Sequence, residues 1–324
     1  MTIRDVAARA GVSVATVSKV INERYGVAAA TYARVQAVIA ETGYEASLAA
    51  QSLRNHRTNV IGILVADLEP FSTELLKGAA DAIRDTGFEL VIYSAGGRTS
   101  DHVGWERRYL SRLAGTLTDG AVLVTPTVVE VDLGAPVVAV DPHTGPSELP
   151  TIDSDNLRGA QLATEHLLEL GHRRVGMIGS PPNVLCSRAR VDGYRAALET
   201  AGVPVDPALI RHGDFHVPRA YEEGRALLSL ADPPTAIFAG SDLQAFGLYE
   251  AARVLGRRVP DDLSVIGFDD LPMARWAWPP LTTIRQPLTE MAATAARLVL
   301  GDGGQTRVEL ATSLVVRQST TRLV

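Results

Sequence analysis

The chain has one cysteine, Cys186, in 324 residues, so no internal disulfide can brace it. Its opening residues, Met1-Thr2-Ile3-Arg4-Asp5, lack the apolar run of a secretion signal, and no window approaches the roughly 18 uninterrupted apolar residues of a membrane-spanning helix. Together these absences predict a reducing, cytoplasmic setting and exclude a bilayer as partner. Also missing are Gly-x-Gly-x-x-Gly, Gly-x-x-x-x-Gly-Lys and Gly-x-Ser-x-Gly, the signatures of three common uses of an α/β sheet. Lysine is scarce as well, with only Lys19 and Lys77.

What is present is the mix of a globular protein: 46% hydrophobic and 21% charged residues, long enough for about two domains and an appendage. The net charge of -6 is unevenly spread. Residues 1 to 58 carry seven Arg or Lys against four Asp or Glu, a balance of +3, which leaves 24 basic and 33 acidic residues, or -9, for the remainder. A basic head on an acidic body points toward a polyanion as partner of the head.

In the head, Thr2 precedes Ile3, Val6, Ala7 and Ala10, one face of a helix, with Asp5 placed to complete a capping box. Gly11 ends that helix, and Ser13 caps a second one whose apolar face is Val17, Val20 and Ile21. Two helices joined so tightly form a helix-turn-helix, whose second helix can enter a DNA major groove. Ala15, Thr16, Ser18, Lys19 and Asn22 lie off its apolar side. A third helix follows, with Tyr32, Val35, Val38 and Ile39 inward and Gly43 as its terminal cap. From periodicity alone, a purely structural three-helix cap and a DNA reader fit equally. Residues 45 to 58 favour a helix with few large apolar groups; on DNA, Leu53 would serve as a minor-groove wedge and Arg54 would neutralise a phosphate, and otherwise the segment is a plain linker.

From Val60 onward, short apolar runs at 60–66, 88–93, 121–124, 136–140, 175–178, 235–239 and 263–268 read as strands buried on both faces. Helices are predicted near 72–86, 102–114, 155–170, 188–201, 219–230, 243–255 and 288–300, giving an α/β body with parallel sheets, either one large sheet or two smaller ones. Ligands on such sheets bind at the carboxyl ends of the strands. Phe71, Asp141, Asp242 and Asp269 follow strands, Arg190 follows 175–178, and Phe215 lies in a loop before a helix. Carboxylates and a guanidinium that fix hydroxyls, beside an aromatic ring, match a carbohydrate; each acid alone could equally be a helix cap. The His212 and His216 spacing is interrupted by Gly213 and Asp214, so no metal site is expected, and Cys186 reads as a pocket or core residue.

The run from Thr2 to Asn22 resembles the DNA-binding head of the LacI/GalR family of bacterial transcription regulators. Tyr44, Ser47, Ala50 and Leu53 resemble that family's hinge helix. The segments 61–65, 171–176, Arg190-Val-Asp-Gly-Tyr194, 234–238, 265–270 and 281–287 extend the similarity over nearly the whole chain. The resemblance implies a helix-turn-helix head at 1–44, a hinge at 45–58 and a periplasmic-binding-protein-like body at 59–324. That body has two lobes, one about 59–154 with 286–313 and the other about 155–285 with 314–324. It implies a homodimer on a pseudo-palindromic double-stranded operator, a repressor that needs no cofactor, and a small sugar effector between the lobes. Carried over by position, base reading falls on Val14, Ala15 and Lys19, with Ser13, Thr16, Ser18 and Asn22 nearer the backbone and Leu53 as wedge. Effector binding falls on Phe71, Asp141, Arg190, Phe215, Asp242 and Asp269, with Trp276 and Gln286 as further candidates. Ala28 stands where members often have a serine cap. The alternative is a cytosolic sugar-processing enzyme with an accessory helical head, for which the sequence offers no acid-base or metal constellation.

Overall fold

The computed structural model describes residues 1–22, 25–44, 58–96, 104–113, 118–128, 134–144, 148–301 and 307–323. The hinge segment 45–57, with Leu53 and Arg54, lies outside them. The chain divides into a compact head, Met1–Thr58, and a body, Asn59–Val324.

The head contains α1 (Ile3–Ala10), α2 (Val14–Ile21) and α3 (Ala29–Thr42). Thr2 and Asp5 form the capping box: the Asp5 carboxylate accepts the Thr2 N–H at 2.8 Å while the Thr2 hydroxyl accepts the Asp5 N–H. Ser13 accepts the Thr16 N–H at 3.1 Å and so opens α2. Ala28 offers α3 no such bond. Val6, Ala7, Ala10, Val17, Val20 and Val35 close a small core.

The body has seven helices among the described residues: α4 (Pro70–Ile83), α5 (Glu106–Leu113), α6 (Asn156–Glu169), α7 (Leu185–Thr200), α8 (Val217–Leu228), α9 (Asp242–Val254) and α10 (Leu288–Leu300). Its strands are β1 (Val60–Val65), β2 (Glu89–Ser94), β3 (Gly120–Val124), β4 (Val137–Val140), β5 (Thr151–Ser154), β6 (Val175–Gly179), β7 (Ile210–His212), β8 (Ala236–Ala239), β9 (Ser264–Asp269), β10 (Thr282–Arg285), β11 (Arg307–Leu310) and β12 (Ser313–Val315). They form two six-stranded sheets, β11-β5-β4-β3-β1-β2 in lobe 1 and β12-β10-β9-β8-β6-β7 in lobe 2. All pairings are parallel except β12, which runs antiparallel to β10. Helices cover both faces of the lobe 2 sheet, because β6 and β8 are apolar on both sides: Met177 and Phe238 face α6 and α7, while Ile178 and Ile237 face α8 and α9.

The chain passes between lobes three times: after β5, after β10, and between Leu310 and Ser313. The third passage comes slightly earlier than the boundary of about 313 in the sequence reading, since Ser313 already pairs with Arg285 in lobe 2. These connections are tied together: the Asp155 N–H donates to the Leu310 carbonyl at 2.9 Å, the Thr312 hydroxyl donates to the Asp155 carbonyl at 3.1 Å, and the Ser154 hydroxyl donates to Gln286 Oε1. Helix approach within a lobe depends on glycine: a Cβ on Gly193 of α7 would stand 2.3 Å from the Leu157 carbonyl of α6.

Candidate functional site

On the head, Ser13, Val14, Ala15 and Lys19 are exposed along one side of α2, while Thr16, Ser18 and Asn22 are half-buried. Val14 is 40% exposed, a large apolar group left facing solvent at the first turn of a helix. The Ser13 and Thr16 hydroxyls lie 2.9 Å apart, and the Asn22 amide donates to the Ser18 carbonyl, which fixes both ends of the helix. The result is a rigid rod with small apolar, hydroxyl and one ammonium group on its open side, able to meet thymine methyls, base edges and phosphates.

In the body, the polar residues cluster where the lobes face each other, at the carboxyl ends of β4 and β9 and the start of α7. Arg190, on the second turn of α7, is 3% exposed. Its Nε donates to Asn156 Oδ1 at 2.8 Å, its Nη1 to the Gly240 carbonyl, and its guanidinium lies 3.8 Å from the Phe268 ring centre. Nη2 stands 3.9 Å from Asp269 Oδ1. The same Asp269 oxygen accepts from Gln286 Nε2 at 2.7 Å, so Gln286 links the passage after β10 to the site. A buried cation held this way is tolerable because each of its faces meets an acceptor, a ring or a carboxylate.

Lobe 1 supplies Asp141, 3% exposed, just beyond β4. Its field, with that of Glu69, raises the Asp269 carboxyl; burial is the largest cause, Arg190 and Gln286 oppose it, and the net result is a carboxyl pushed up to about 7. Asp153 on β5 is likewise pushed up to about 7, by burial first and then by Asp141. Burial also lowers the His143 imidazole and raises the Glu69 carboxyl. Phe215 of lobe 2 stacks on His143 of lobe 1 with ring centres 6.2 Å apart and planes 15° from parallel, and the Leu185 N–H donates to the His143 carbonyl at 3.1 Å. Asp141, Phe215 and Asp269 all hold left-handed backbone, at φ of +49°, +69° and +117°. Strained backbone at three facing positions is the pattern of a ligand site, held in place by the surrounding fold.

The structure therefore gathers Asp141, Arg190, Asp269 and Gln286, and joins Phe215 to them through His143. Phe71 is half-buried at the start of α4, two residues beyond Glu69. Two candidates fall elsewhere. Asp242 is wholly buried, and both its oxygens are engaged within lobe 2, Oδ1 by the Thr283 hydroxyl at 2.5 Å and Oδ2 by the Leu271 N–H at 2.7 Å. It fixes the turn after β9 instead of facing a ligand, and Gly267 makes room for it, since a Cβ there would stand 2.4 Å from Asp242 Oδ1. Trp276, at the end of the turn Pro272–Arg275, is 79% exposed and lines a surface groove with Trp278, Phe246, Tyr249 and Arg253. Of the paired histidines, His212 Nδ1 donates to the Ser180 carbonyl at 3.2 Å, and His216 stands at the N-cap position of α8 with no side-chain cap bond. Sequence reasoning missed His143, Asp153 and Asn156. His143 follows Asp141 by two residues, so the polar tail of β4 was the available signal.

Residues 2–47 match the model for bacterial regulatory proteins of the lacI family, and residues 164–320 match the periplasmic binding protein-like domain. A ribose operon repressor of Halalkalibacterium halodurans is 36% identical over 98% of this chain and 97% of its own length. This chain belongs to the lacI family of bacterial regulatory proteins. Among solved structures of the family, a CelR–cellobiose complex is similar with a TM-score of 0.72 and 34% identity, over 98% of this chain and 99% of that one. A lac repressor dimer bound to operator and the anti-inducer ONPF matches with a TM-score of 0.84 and 26% identity, over 99% of each chain. Membership in the lacI family makes the chain a regulator and not an enzyme.

Proposed function

We propose that the protein is a cytoplasmic transcriptional repressor that grips a pseudo-palindromic operator as a homodimer and is controlled by a small sugar bound between its lobes. The observation that carries this reading is the Asp141, Arg190 and Asp269 grouping, which spans two lobes of a body that follows a helix-turn-helix head in the sequence. Asp141 and Phe71 would meet the sugar from lobe 1, and Arg190, Phe215, Asp269 and Gln286 from lobe 2. A polyhydroxylated ring fits such a set, with carboxylates accepting, guanidinium and amide donating, and Phe215 covering an apolar face. A ligand that bridges the lobes binds one lobe arrangement better than another, and only that difference can shift operator affinity.

At the head, Ala15, Val14 and Lys19 read base edges while Ser13, Thr16, Ser18 and Asn22 contact backbone. In residues 45–58, Leu53 acts as the minor-groove wedge and Arg54 as a phosphate contact. A second copy would cover exposed apolar groups of the body such as Trp276 and Trp278. Support for these roles comes from the operator-bound dimer and the cellobiose-bound relative. The test is selection of duplexes from a random pool by the purified chain: an inverted repeat should be enriched, and its affinity should fall steeply with salt as counterions are released. No enrichment, or affinity indifferent to salt, would remove the reading.

A further inference from the structure

Asp141 and His143 leave the end of β4 in lobe 1, and Cys186 lies on the first turn of α7 in lobe 2. A carboxylate oxygen, a ring nitrogen and the Cys186 sulfur all lie within 4.8 Å of one another. Among the described residues, none of these donor atoms has a hydrogen-bond partner or ion pair, although Asp141 is 3% exposed and Cys186 is 4% exposed. A carboxylate with no hydrogen bond among the described residues, set beside an imidazole and a thiol, leaves three donor atoms of different chemistry open to one shared ligand. We propose that Asp141, His143 and Cys186 form a site for a divalent transition metal of the zinc class, bridging the two lobes.

An oxygen, nitrogen and sulfur set suits zinc or cobalt and not magnesium or calcium, which take oxygen ligands. The surroundings include further carboxyls: Asp269 and Asp153 stand close enough to act on Cys186 alongside Asp141. Arg190 opposes them with a single positive charge, held on the lobe 2 side by Asn156, Gly240 and the Phe268 ring. On binding, the Cys186 thiol gives its proton to solvent and coordinates as thiolate, so the metal must bind more tightly as pH rises. Three protein ligands leave a fourth position for water or a ligand hydroxyl. Donors around tetrahedral zinc stand roughly 3.5 Å apart. Capture would hold donors of both lobes on one ion, making the metal a latch for the closed cleft.

The proposal stands without the sugar reading, and its test does not use a sugar. The full chain, stripped with chelator, is titrated with Co2+. One equivalent per chain should produce a thiolate-to-cobalt charge-transfer absorption that Zn2+ abolishes. Cys186 is the single cysteine, so the band has no other source. Cys186→Ser should lose the band, and His143→Gln and Asp141→Asn should each weaken Co2+ at least about tenfold, with folding verified by melting curves. A folded wild-type chain with no such band overturns the proposal, as does a band whose metal affinity both folded variants leave unchanged. Failure of the sugar reading would appear instead as operator binding that no sugar alters, with the band intact.

Discussion

The two lobes are built on the same strand order, yet they bring opposite things to the cleft. Lobe 2 brings a finished network: Arg190 is bound by Asn156, Gly240 and the Phe268 ring, Asp269 by Gln286, and Asp242 by Thr283 and Leu271. Lobe 1 brings Asp141 with no hydrogen bond to its carboxylate among the described residues, near the Asp153 carboxyl, which is raised by burial first and then by Asp141. The lobe 2 acids are engaged within the protein, whereas the Asp141 carboxylate has no hydrogen bond among the described residues. A ligand that donates to Asp141 therefore gains most from lobe 1 while lobe 2 holds it in place, and differential binding to the closed arrangement follows.

The contrast is broken most severely by Arg190→Ala. It removes a charge-assisted donor and leaves Asp269 without its cation, so sugar affinity measured by calorimetry should fall about 100-fold and the operator response should vanish. Asp141→Asn sharpens it. Sugar affinity should drop about tenfold, while the melting temperature holds because the side chain has no hydrogen bond among the described residues to lose. Gln286→Ala in lobe 2 should instead cost about 1–3 kcal/mol of stability, since it strips partners from Asp269 and Ser154.

Acidity tests the same asymmetry more gently. Asp153 and Asp269 are shifted from 3.8 to about 7 in the folded chain; Asp141, Arg307 and Glu309 face the first, and Arg190, Asp141 and Glu69 the second. Between those values the folded chain holds more protons than the unfolded one, so stability must fall as pH rises from about 4 to about 7 and then level. Thermal melts across that range should show the decline, and Asp153→Asn should flatten it by roughly 2–4 °C, the shift that about 1 kcal/mol causes in a body of this size. The smallest effect is expected at Trp276→Ala, with sugar affinity within about twofold of wild type, as for a surface change away from the cleft.

Much of this was legible in the sequence where one physical rule sufficed. The caps at Thr2 and Ser13 and the apolar faces of α1 and α2 follow from local hydrogen bonding and helical period. The doubly buried strands β1, β3, β4, β6, β8 and β9 follow from unbroken apolar runs. Strands β5, β7, β10, β11 and β12 escaped because they are three or four residues long and carry Asp153, Arg211, Thr282, Glu309 or Ser313, which no apolar-run criterion selects. At the site, Arg190 and Asp269 stood out as charges beside strands. Asp242 shared that pattern, and only the structure shows its oxygens turned inward onto Thr283 and Leu271. His143 and Cys186 lie 43 positions apart, so no reading of neighbours along the chain could bring them together.

Fluorescence anisotropy of a labelled inverted-repeat duplex, titrated with the wild-type chain and with Arg190→Ala at several concentrations of the sugar that protects the protein in a thermal-shift screen, tests the central claim most directly. The account predicts that sugar shifts the wild-type binding curve at least about fivefold, within the usual range of coupling energies, and leaves the Arg190→Ala curve in place. Equal shifts for both proteins, or none for either, would contradict it.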